Sequence, residues 1–177
     1  MKTLYMTTVL LFTIHAASAQ VAIGKTSING NNTILDFNDS SSNTNGIILP
    51  AIADKSTALA STAANNHGTF IFDKSDNRIK MYENGNWVSL SDDTGDGTEI
   101  TNHPNSSPEK GKGVIIGAQS SSAKGVLVLE SNNKALILPR ISKPEINVKS
   151  PYPGMMCYDT DSMSLAVYDG ARWNYWK

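Results

Sequence analysis

The alternation of apolar and polar positions is clearest near the C-terminus, and the same pattern occurs twice. Residues 154–177 read GMMCYDTDSMSLAVYDGARWNYWK, and residues 68–87 read GTFIFDKSDNRIKMYENGNW. Without a gap, Trp87 aligns with Trp173. Each copy has a short apolar strand that ends in Asp, a polar turn, a second strand that ends in Tyr, and a Gly turn before Trp. This pattern predicts a β-meander in each copy.

The duplication extends upstream of the meanders. Three further pairs of segments correspond: VAIG at 21–24 with VIIG at 114–117, TILDF at 33–37 with GVLVLE at 125–130, and GIILPAI at 46–52 with ALILPRI at 135–141. Residues 54–64 have the composition of a short helix, with Asp54 or Ser56 as its N-cap, and Pro144 is placed to begin a single helical turn. We therefore predict a mainly β fold of two tandem modules, each with short strands, a short helix and a β-meander.

The ends of the modules follow from local composition. Lys2, an apolar run and Ala17-Ser18-Ala19 predict a secretory signal peptide over residues 1–19, and the apolar run is shorter than the ~20 residues of a membrane span. Residues 91–112 are rich in Gly, Pro, Ser and charge and have no apolar period. We predict a first module over 20–90, a linker over 91–112 and a second module over 113–177.

Size and charge narrow the classes of function. Modules of about 70 residues are too small to build a large core alone, so we expect them to stack or to self-associate. The apolar runs at 47–49 and 136–138 are the segments predicted to make this contact. A net charge of −1 argues against a nucleic-acid partner, and no later run is long enough to span a bilayer. Cys157 is the one cysteine, and we expect a buried strand residue there, with a reactive or intermolecular thiol as the alternative.

An acidic stretch of the linker invites a calcium-binding interpretation. Its carboxylates are Asp92, Asp93, Asp96 and Glu99. The calcium-loop pattern fails, because its third and twelfth positions are Thr94 and His103. A solvated linker is the favoured interpretation, and a weak Ca²⁺ site is the alternative. His67 and His103 are predicted to be solvated turn residues rather than metal ligands, since ligands usually occur in clusters.

Asp159, Asp161 and Asp169 raise the possibility of paired carboxylates that hydrolyse sugars. Asp159 has its counterpart in Asp73, however, and both follow a strand at the point where an Asp side chain bonds to its own turn. No catalytic set converges in the sequence, so we predict a protein that is not an enzyme and has no metal or cofactor.

The aromatic residues supply the candidate contact site. Trp87 and Trp173 share one place in the repeat, which favours a packing role. Tyr175 and Trp176 lie beyond the repeat. We predict that Trp173, Tyr175 and Trp176 contact a sugar or a partner protein. The alternative is a last strand that merely closes its sheet.

Several of these residues together resemble a known group of proteins. The second module carries Ile116-Gly117, Leu138-Pro139-Arg140, Tyr158-Asp159-Thr160-Asp161, and Tyr168-Asp169-Gly170 followed by Trp173. This order resembles repeats in exported cell-surface proteins of Bacteroidota, which are themselves similar to phage tail-fibre modules. The first module departs from it, because Ala51 replaces the Arg and Lys74-Ser75 replaces Thr-Asp.

The resemblance implies short strands wound around a threefold axis and followed by a small globular meander. It implies a homo-oligomer, with a trimer favoured, that is non-enzymatic and exported to the cell surface, the medium or the periplasm. We expect a stalk, collar or accessory subunit of a larger surface adhesin complex, such as a gliding or adhesion apparatus. The alternative is a carbohydrate-binding adhesin module. Many members carry a C-terminal sorting domain for type IX secretion. We expect none after Lys177, so that the protein either stays in the periplasm or crosses the outer membrane as a passenger of another subunit.

Overall fold

A computed structural model describes residues 20–102 and 113–177 of the chain. The predicted signal peptide and residues 103–112 of the predicted linker, with His103, lie outside the described residues. The described ranges are built from short strands in four sheets. The predicted mainly β class is therefore confirmed. No helix in these ranges has the length and apolar character needed to cross a bilayer.

The elements are short throughout. In chain order, the strands are β1 Val21–Ile23, β2 Thr33–Phe37, β3 Ile47–Ile48, β4 Ala51–Ile52, β5 Thr69–Asp73, β6 Arg78–Glu83, β7 Asn86–Ser89, β8 Val114–Ile116, β9 Leu127–Leu129, β10 Ala135–Leu136, β11 Arg140–Ile141, β12 Met155–Asp159, β13 Ser164–Tyr168 and β14 Trp173–Trp176. The helices are two 3-10 turns, Lys55–Ala58 and Ala63–Asn66, and two α-helices, α1 Thr98–Asn102 and α2 Pro144–Asn147. Strands of two or three residues are stable only in a larger context.

The helix predicted over 54–64 forms as two separate 3-10 turns. Asp54 caps the first turn as predicted, since its carboxylate accepts from the Ser56 N–H at 3.0 Å. The Thr57 hydroxyl donates back to the Asp54 carbonyl at 2.7 Å. Side chains of this type compete for backbone groups, which favours a short turn over a continuous α-helix. The single helical turn predicted at Pro144 is confirmed as α2.

The two meanders repeat one topology. The first sheet has the order β4-β5-β6-β7, and the second follows the same path through β11-β12-β13-β14. In each, a strand after Leu-Pro runs parallel to the first meander strand, and two antiparallel strands follow. The Pro50 carbonyl accepts from the Phe72 N–H at 2.9 Å, and the Pro139 carbonyl accepts from the Tyr158 N–H at 2.9 Å. Both predicted meanders are therefore present.

The first two strands of each module also correspond. β1 runs parallel to β2 with Val21 opposite Leu35, and β8 runs parallel to β9 with Val114 opposite Leu127. The upstream segments that correspond in sequence therefore also form the same parallel strand pair.

Two strands cross from one module to the other. β3 of the first module pairs antiparallel with β12 of the second, with Ile47 opposite Met156. β10 of the second module pairs parallel with β2 of the first, with Leu136 opposite Leu35. The two apolar runs that were predicted to stack the modules are the segments that cross.

A shared core lies between the two meander sheets. Its buried members come from both modules and from the segment between them: Leu49, Phe72, Ile79, Leu90, Ile100, Met156 and Val167. A second cluster on the other face of the β12 sheet contains Ile141, Met155, Cys157 and Ala166. Because side chains alternate along a strand, Met156 enters one cluster and its neighbours Met155 and Cys157 enter the other. Strands β12 and β13 of the second meander are therefore buried on both faces.

The described half of the predicted linker is packed against the protein. Helix α1 places Ile100 in the shared core, where its side chain is 6 % exposed. A single apolar residue in a polar stretch gives no periodic signal, so the sequence did not indicate this contact. The module boundaries themselves remain a prediction.

Candidate functional site

The three aromatic residues predicted to form a contact site lie on the edge strand β14 but not on one surface. Trp173 lies opposite Tyr168, Tyr175 opposite Ala166, and Trp176 next along the strand. Since alternate residues point to opposite faces, Trp173 and Tyr175 share one face of the sheet and Trp176 lies on the other. A single flat platform of three rings is therefore not formed.

The polar atoms of the two terminal aromatic residues already have partners. The Tyr175 hydroxyl donates to Glu145 at 2.6 Å, and the Trp176 indole N–H donates to the Leu90 carbonyl at 2.9 Å. Burial, and then the bond to Glu145, raise the pKa of Tyr175 above its ordinary value. Both residues remain about two-fifths exposed, at 41 % for Tyr175 and 42 % for Trp176. They can offer ring faces to a partner, and that role remains a prediction.

The repeated tryptophans pack against the repeated tyrosines. The Tyr82 and Trp87 rings are 5.2 Å apart in an edge-to-face arrangement at 74°, and the Tyr168 and Trp173 rings are 5.4 Å apart at 47°. Both tryptophans are half-buried. Such cross-strand aromatic pairs stabilise a meander, which agrees with the predicted packing role.

The carboxylates that suggested sugar hydrolysis hold turns together. Asp159 is buried and accepts from the N–H groups of Lys143 at 3.0 Å, Asp161 at 2.9 Å and Ser162 at 3.1 Å. Burial alone would raise the pKa of Asp159, but these donors outweigh it and the pKa lies below its ordinary value. A carboxylate held ionised by backbone donors is a structural acceptor rather than a proton donor.

Asp169 has the same role in the next turn. Its carboxylate is buried and accepts from the Ala171 and Arg172 N–H groups, each at 2.8 Å, and from the Asn174 amide at 2.8 Å. Asp161 is exposed and lies 3.7 Å from the Lys143 ammonium. The structure therefore commits Asp159 and Asp169 to turns, as predicted.

Asp73, the counterpart of Asp159, is held by charge as well as by its turn. Its buried carboxylate lies 2.7 Å from the Lys80 ammonium and 3.0 Å from the Lys55 ammonium, and it accepts from the Ser75 N–H at 3.0 Å. Burial raises the pKa of Asp73, but the bonds from Lys80, Ser75 and Lys55 together outweigh it and hold the pKa well below the ordinary 3.8. This network fixes the first turn of the first meander.

The acidic stretch makes hydrogen bonds to both meanders and so connects them. The Gly95 N–H donates to the Asn77 carbonyl and the Asp96 N–H donates to the Asp169 carbonyl, each at 2.9 Å. Asp93 forms an ion pair with Arg172 at 2.7 Å. Asp92, Asp93, Asp96 and Glu99 are exposed, as predicted for a solvated stretch. Among the residues that the structure describes, no group of three His, Cys, Asp or Glu side chains is arranged to hold a metal ion.

Backbone approaches at this junction are too close for side chains. A Cβ on Gly95 would lie 2.0 Å from the Asp169 carbonyl oxygen. Gly170, at φ +96°, faces the same segment, and a Cβ there would lie 1.7 Å from the Asp96 carbonyl oxygen. Glycine is required where two backbones meet in this way.

The buried thiol is chemically quiet. Cys157 is a free cysteine inside the β12 sheet, as predicted. Burial, and secondarily the nearby Asp159 charge, raise its pKa to about 12. A thiol with this pKa is not ionised near neutral pH and is a poor nucleophile.

The most unusual surface lies on the strands that precede the meanders. Large apolar side chains are exposed there: Ile23, Ile48, Val114, Ile115, Val126, Leu127 and Leu136, with exposed fractions from 36 % to 56 %. We call these seven residues together the exposed strand surface; they lie on or beside strands of three different sheets, and the neighbours Val114 and Ile115 point to opposite faces of β8. Parallel sheets are normally covered on both faces, yet β8 and β9 form a two-stranded parallel sheet with outward apolar side chains. The unbroken apolar runs VII and LVL were the sequence signal for it, because strands with one wet face alternate.

Comparison with known protein families matches the second module. Residues 115–177 match the model of a family described as phage tail like trimerisation region. No curated protein and no solved structure matches the chain significantly. The matched segment begins within β8 and includes β9, the crossing strand β10 and the second meander. The expected resemblance to phage tail-fibre modules is confirmed for this segment of the chain.

The Asp73 network should make stability depend on acid. Because the folded-state pKa is lowered, the stabilisation is fully present above the unfolded pKa near 3.8 and is lost as the pH falls below it. Asp73→Asn should lower the free energy of unfolding by about 1–3 kcal/mol at pH 7, because the buried bonds to Lys80 and Ser75 are weakened while Lys80 keeps Asp76 as a second partner. It should also flatten the loss of stability below pH ~4.

Urea unfolding followed by circular dichroism at several pH values measures both effects. Asp161→Asn, at an exposed carboxylate, is the matched control and should change stability by less than ~0.5 kcal/mol. Parallel pH profiles for the parent chain and Asp73→Asn would contradict the assignment.

Gly95→Ala should loosen the junction. The added methyl group meets a backbone carbonyl that cannot move alone, and overpacking of this kind costs about 1–3 kcal/mol. For a chain of this size, the melting temperature should fall by roughly 2–4 °C per kcal/mol. Gly125→Ala is the control, because its nearest neighbour would be 3.4 Å away. Equal melting temperatures for both variants would show that the close approach at Gly95 does not exist in solution.

Proposed function

We propose that this protein is an exported, non-enzymatic structural subunit that assembles as a homotrimer. It would serve as a stalk, collar or accessory subunit of a cell-surface assembly, such as an adhesion or gliding apparatus. The observation that carries the proposal is a coincidence of position. The segment that matches a trimerisation region, residues 115–177, contains four of the seven residues of the exposed strand surface.

Self-association follows from the energetics of that surface. Transfer of apolar area out of water contributes about 25 cal/mol per Å². Val114 is 56 % exposed and Leu127 is 43 % exposed, although both lie in a parallel sheet. Three copies wound around an axis would cover these side chains with their equivalents. Exposed apolar patches with no such cover are uncommon in soluble monomers.

A mechanical role agrees with the chemistry of the described residues. The buried carboxylates Asp73, Asp159 and Asp169 are occupied by turn donors or lysines. Cys157 is enclosed in the sheet. The export signal over residues 1–19 and the resemblance to cell-surface repeats support a location outside the cytoplasm. The larger assembly would be reached through the meanders and their exposed turns.

Light scattering on the mature protein tests the trimer. We expect three times the mass of one chain. Leu127→Lys places a charge in the proposed interface and should shift the mass to that of one chain, because a buried unpaired charge costs several kcal/mol. Met163→Lys, at a 70 % exposed apolar residue of a meander turn, is the control and should stay trimeric. A monomeric parent chain would contradict the proposal.

A carbohydrate-binding adhesin module is the second candidate. It is favoured by Tyr175 and Trp176, which are each about two-fifths exposed on opposite faces of β14, since exposed aromatic rings are typical of sugar contacts. On a glycan array, binding that falls at least tenfold in Trp176→Ala, with the Trp87→Phe variant unchanged, would support it. Absence of any glycan signal would leave the structural role alone.

A further inference from the structure

The two crossing strands are equivalent in the repeat, yet each has a different neighbour. β3 lies in the GIILPAI segment and has the antiparallel partner β12. β10 lies in the matching ALILPRI segment and has the parallel partner β2. Within the described residues, each crossing strand is paired on one side only. Together they show the complete environment of this repeat element: a parallel strand on one side and a meander edge on the other.

The direction of the backbone groups identifies the free side of β10. The Ala135 N–H donates to the Asn32 carbonyl at 2.8 Å, and the Ile137 N–H donates to the Leu35 carbonyl at 3.0 Å. Because N–H groups alternate along a strand, those of Leu136 and Leu138 point away from β2. In the first module, the N–H group of the residue that corresponds to Leu138 points in the same direction and bonds to a meander.

That counterpart is Leu49. Its N–H donates to the Gly154 carbonyl at 3.0 Å, and the preceding residues Ile47 and Ile48 pair with Met156 and Met155. The side of β10 that has no partner therefore corresponds to the side of β3 that pairs with β12.

Strand β5, the counterpart of β12, has an edge that is unpaired at the position where β12 pairs with β3. Strand β4 pairs only with the last two residues of β5, Phe72 and Asp73. The Phe72 N–H faces β4, so the N–H of Phe70, two residues earlier, faces the same side. On β12 the equivalent position, Met156, is covered by Ile47. On β5, no strand of the described ranges pairs with Thr69 or Phe70 on that side.

We propose that β10 of one copy completes the β5 edge of a second copy. The pairing is antiparallel, with Leu136 opposite Phe70 and Ile137 opposite Thr69, as Ile47 and Ile48 lie opposite Met156 and Met155. Addition of a strand to an open sheet edge is an established mode of recognition. This inference rests on the proposed self-association and names the contact that joins the copies.

A second copy is the occupant that the duplication specifies. The strand and the edge belong to one chain and are not paired with each other in it. Leu136 is 37 % exposed, and a strand edge that has no partner and carries an apolar side chain is a template for another chain. A contact between two different surfaces is head-to-tail, and such contacts close into rings when the rotation permits. A closed trimer would leave none of these edges unpaired.

The same ring would also allow the converse pairing, in which β3 of one copy adds to β9 of another copy. β2 has two parallel neighbours, β1 and β10, whereas its counterpart β9 has only β8 within the described ranges. The free side of β3 is the matching donor for β9. Val126 and Leu127, at 52 % and 43 % exposure, lie where that strand would be added.

Disulfide trapping between two differently tagged chains tests the pairing. One chain carries Thr69→Cys and the other Ile137→Cys, and both are co-expressed and oxidised. These residues would form a pair without mutual hydrogen bonds, in which Cα atoms are about 4.5 Å apart, within the range of a disulfide. We expect a linked product that contains both tags and disappears on reduction. Each singly substituted chain alone should give no linked product, since Cys157 is buried.

The pair Ile48→Cys and Met155→Cys in one chain is the matched control. Its disulfide should form within the chain, without a change in mass on a non-reducing gel. A trimer by light scattering with no product carrying both tags would overturn the strand pairing and leave the trimer standing. A disulfide that forms within one chain when Thr69→Cys and Ile137→Cys are combined would also overturn it. A monomer would overturn both proposals.

Discussion

Backbone pairing between the two modules is the interaction on which this structure depends. Strands of two or three residues, such as Ile47–Ile48 and Ala135–Leu136, have no independent stability. They persist because each lies against a longer strand of the other module and because Leu49 and Met156 share one core. The duplicated unit is therefore not self-sufficient. Each module supplies one strand, β3 or β10, that pairs with a strand of the other module.

This dependence explains why corresponding segments of the two modules have different strand neighbours. Strands β12 and β13 of the second meander are buried on both faces, and β12 has a completed edge at Met155 and Met156. The first meander lacks that completing strand within the described residues. The parallel strands β8 and β9 likewise carry exposed apolar side chains where β1 and β2 are joined by β10. In the proposed trimer, these positions are filled by strands of further copies of the chain.

Local chemistry made much of the fold predictable. The spacing of the Asp and Gly turns predicted both meanders, and Asp54 and Asp159 bond to their turns as this residue type does elsewhere. The partners of β3 and β10 were not predictable, because a two-residue strand contains no information on which edge it joins. Ile100 was missed for a related reason: one apolar side chain becomes a core residue only through its tertiary neighbours. The faces of Tyr175 and Trp176 depend on the register of β14, which a strand end does not specify.

Amide hydrogen exchange of the mature protein tests the central claim most directly, since it reads whether each crossing edge is paired. The Met156 amide, beside Ile47 within the chain, provides the internal reference. If modules are completed by strands from outside themselves, the Phe70 and Leu136 amides should exchange as slowly as that of Met156 in the assembled protein. Rapid exchange at Phe70 and Leu136, together with slow exchange at Met156, would contradict the account.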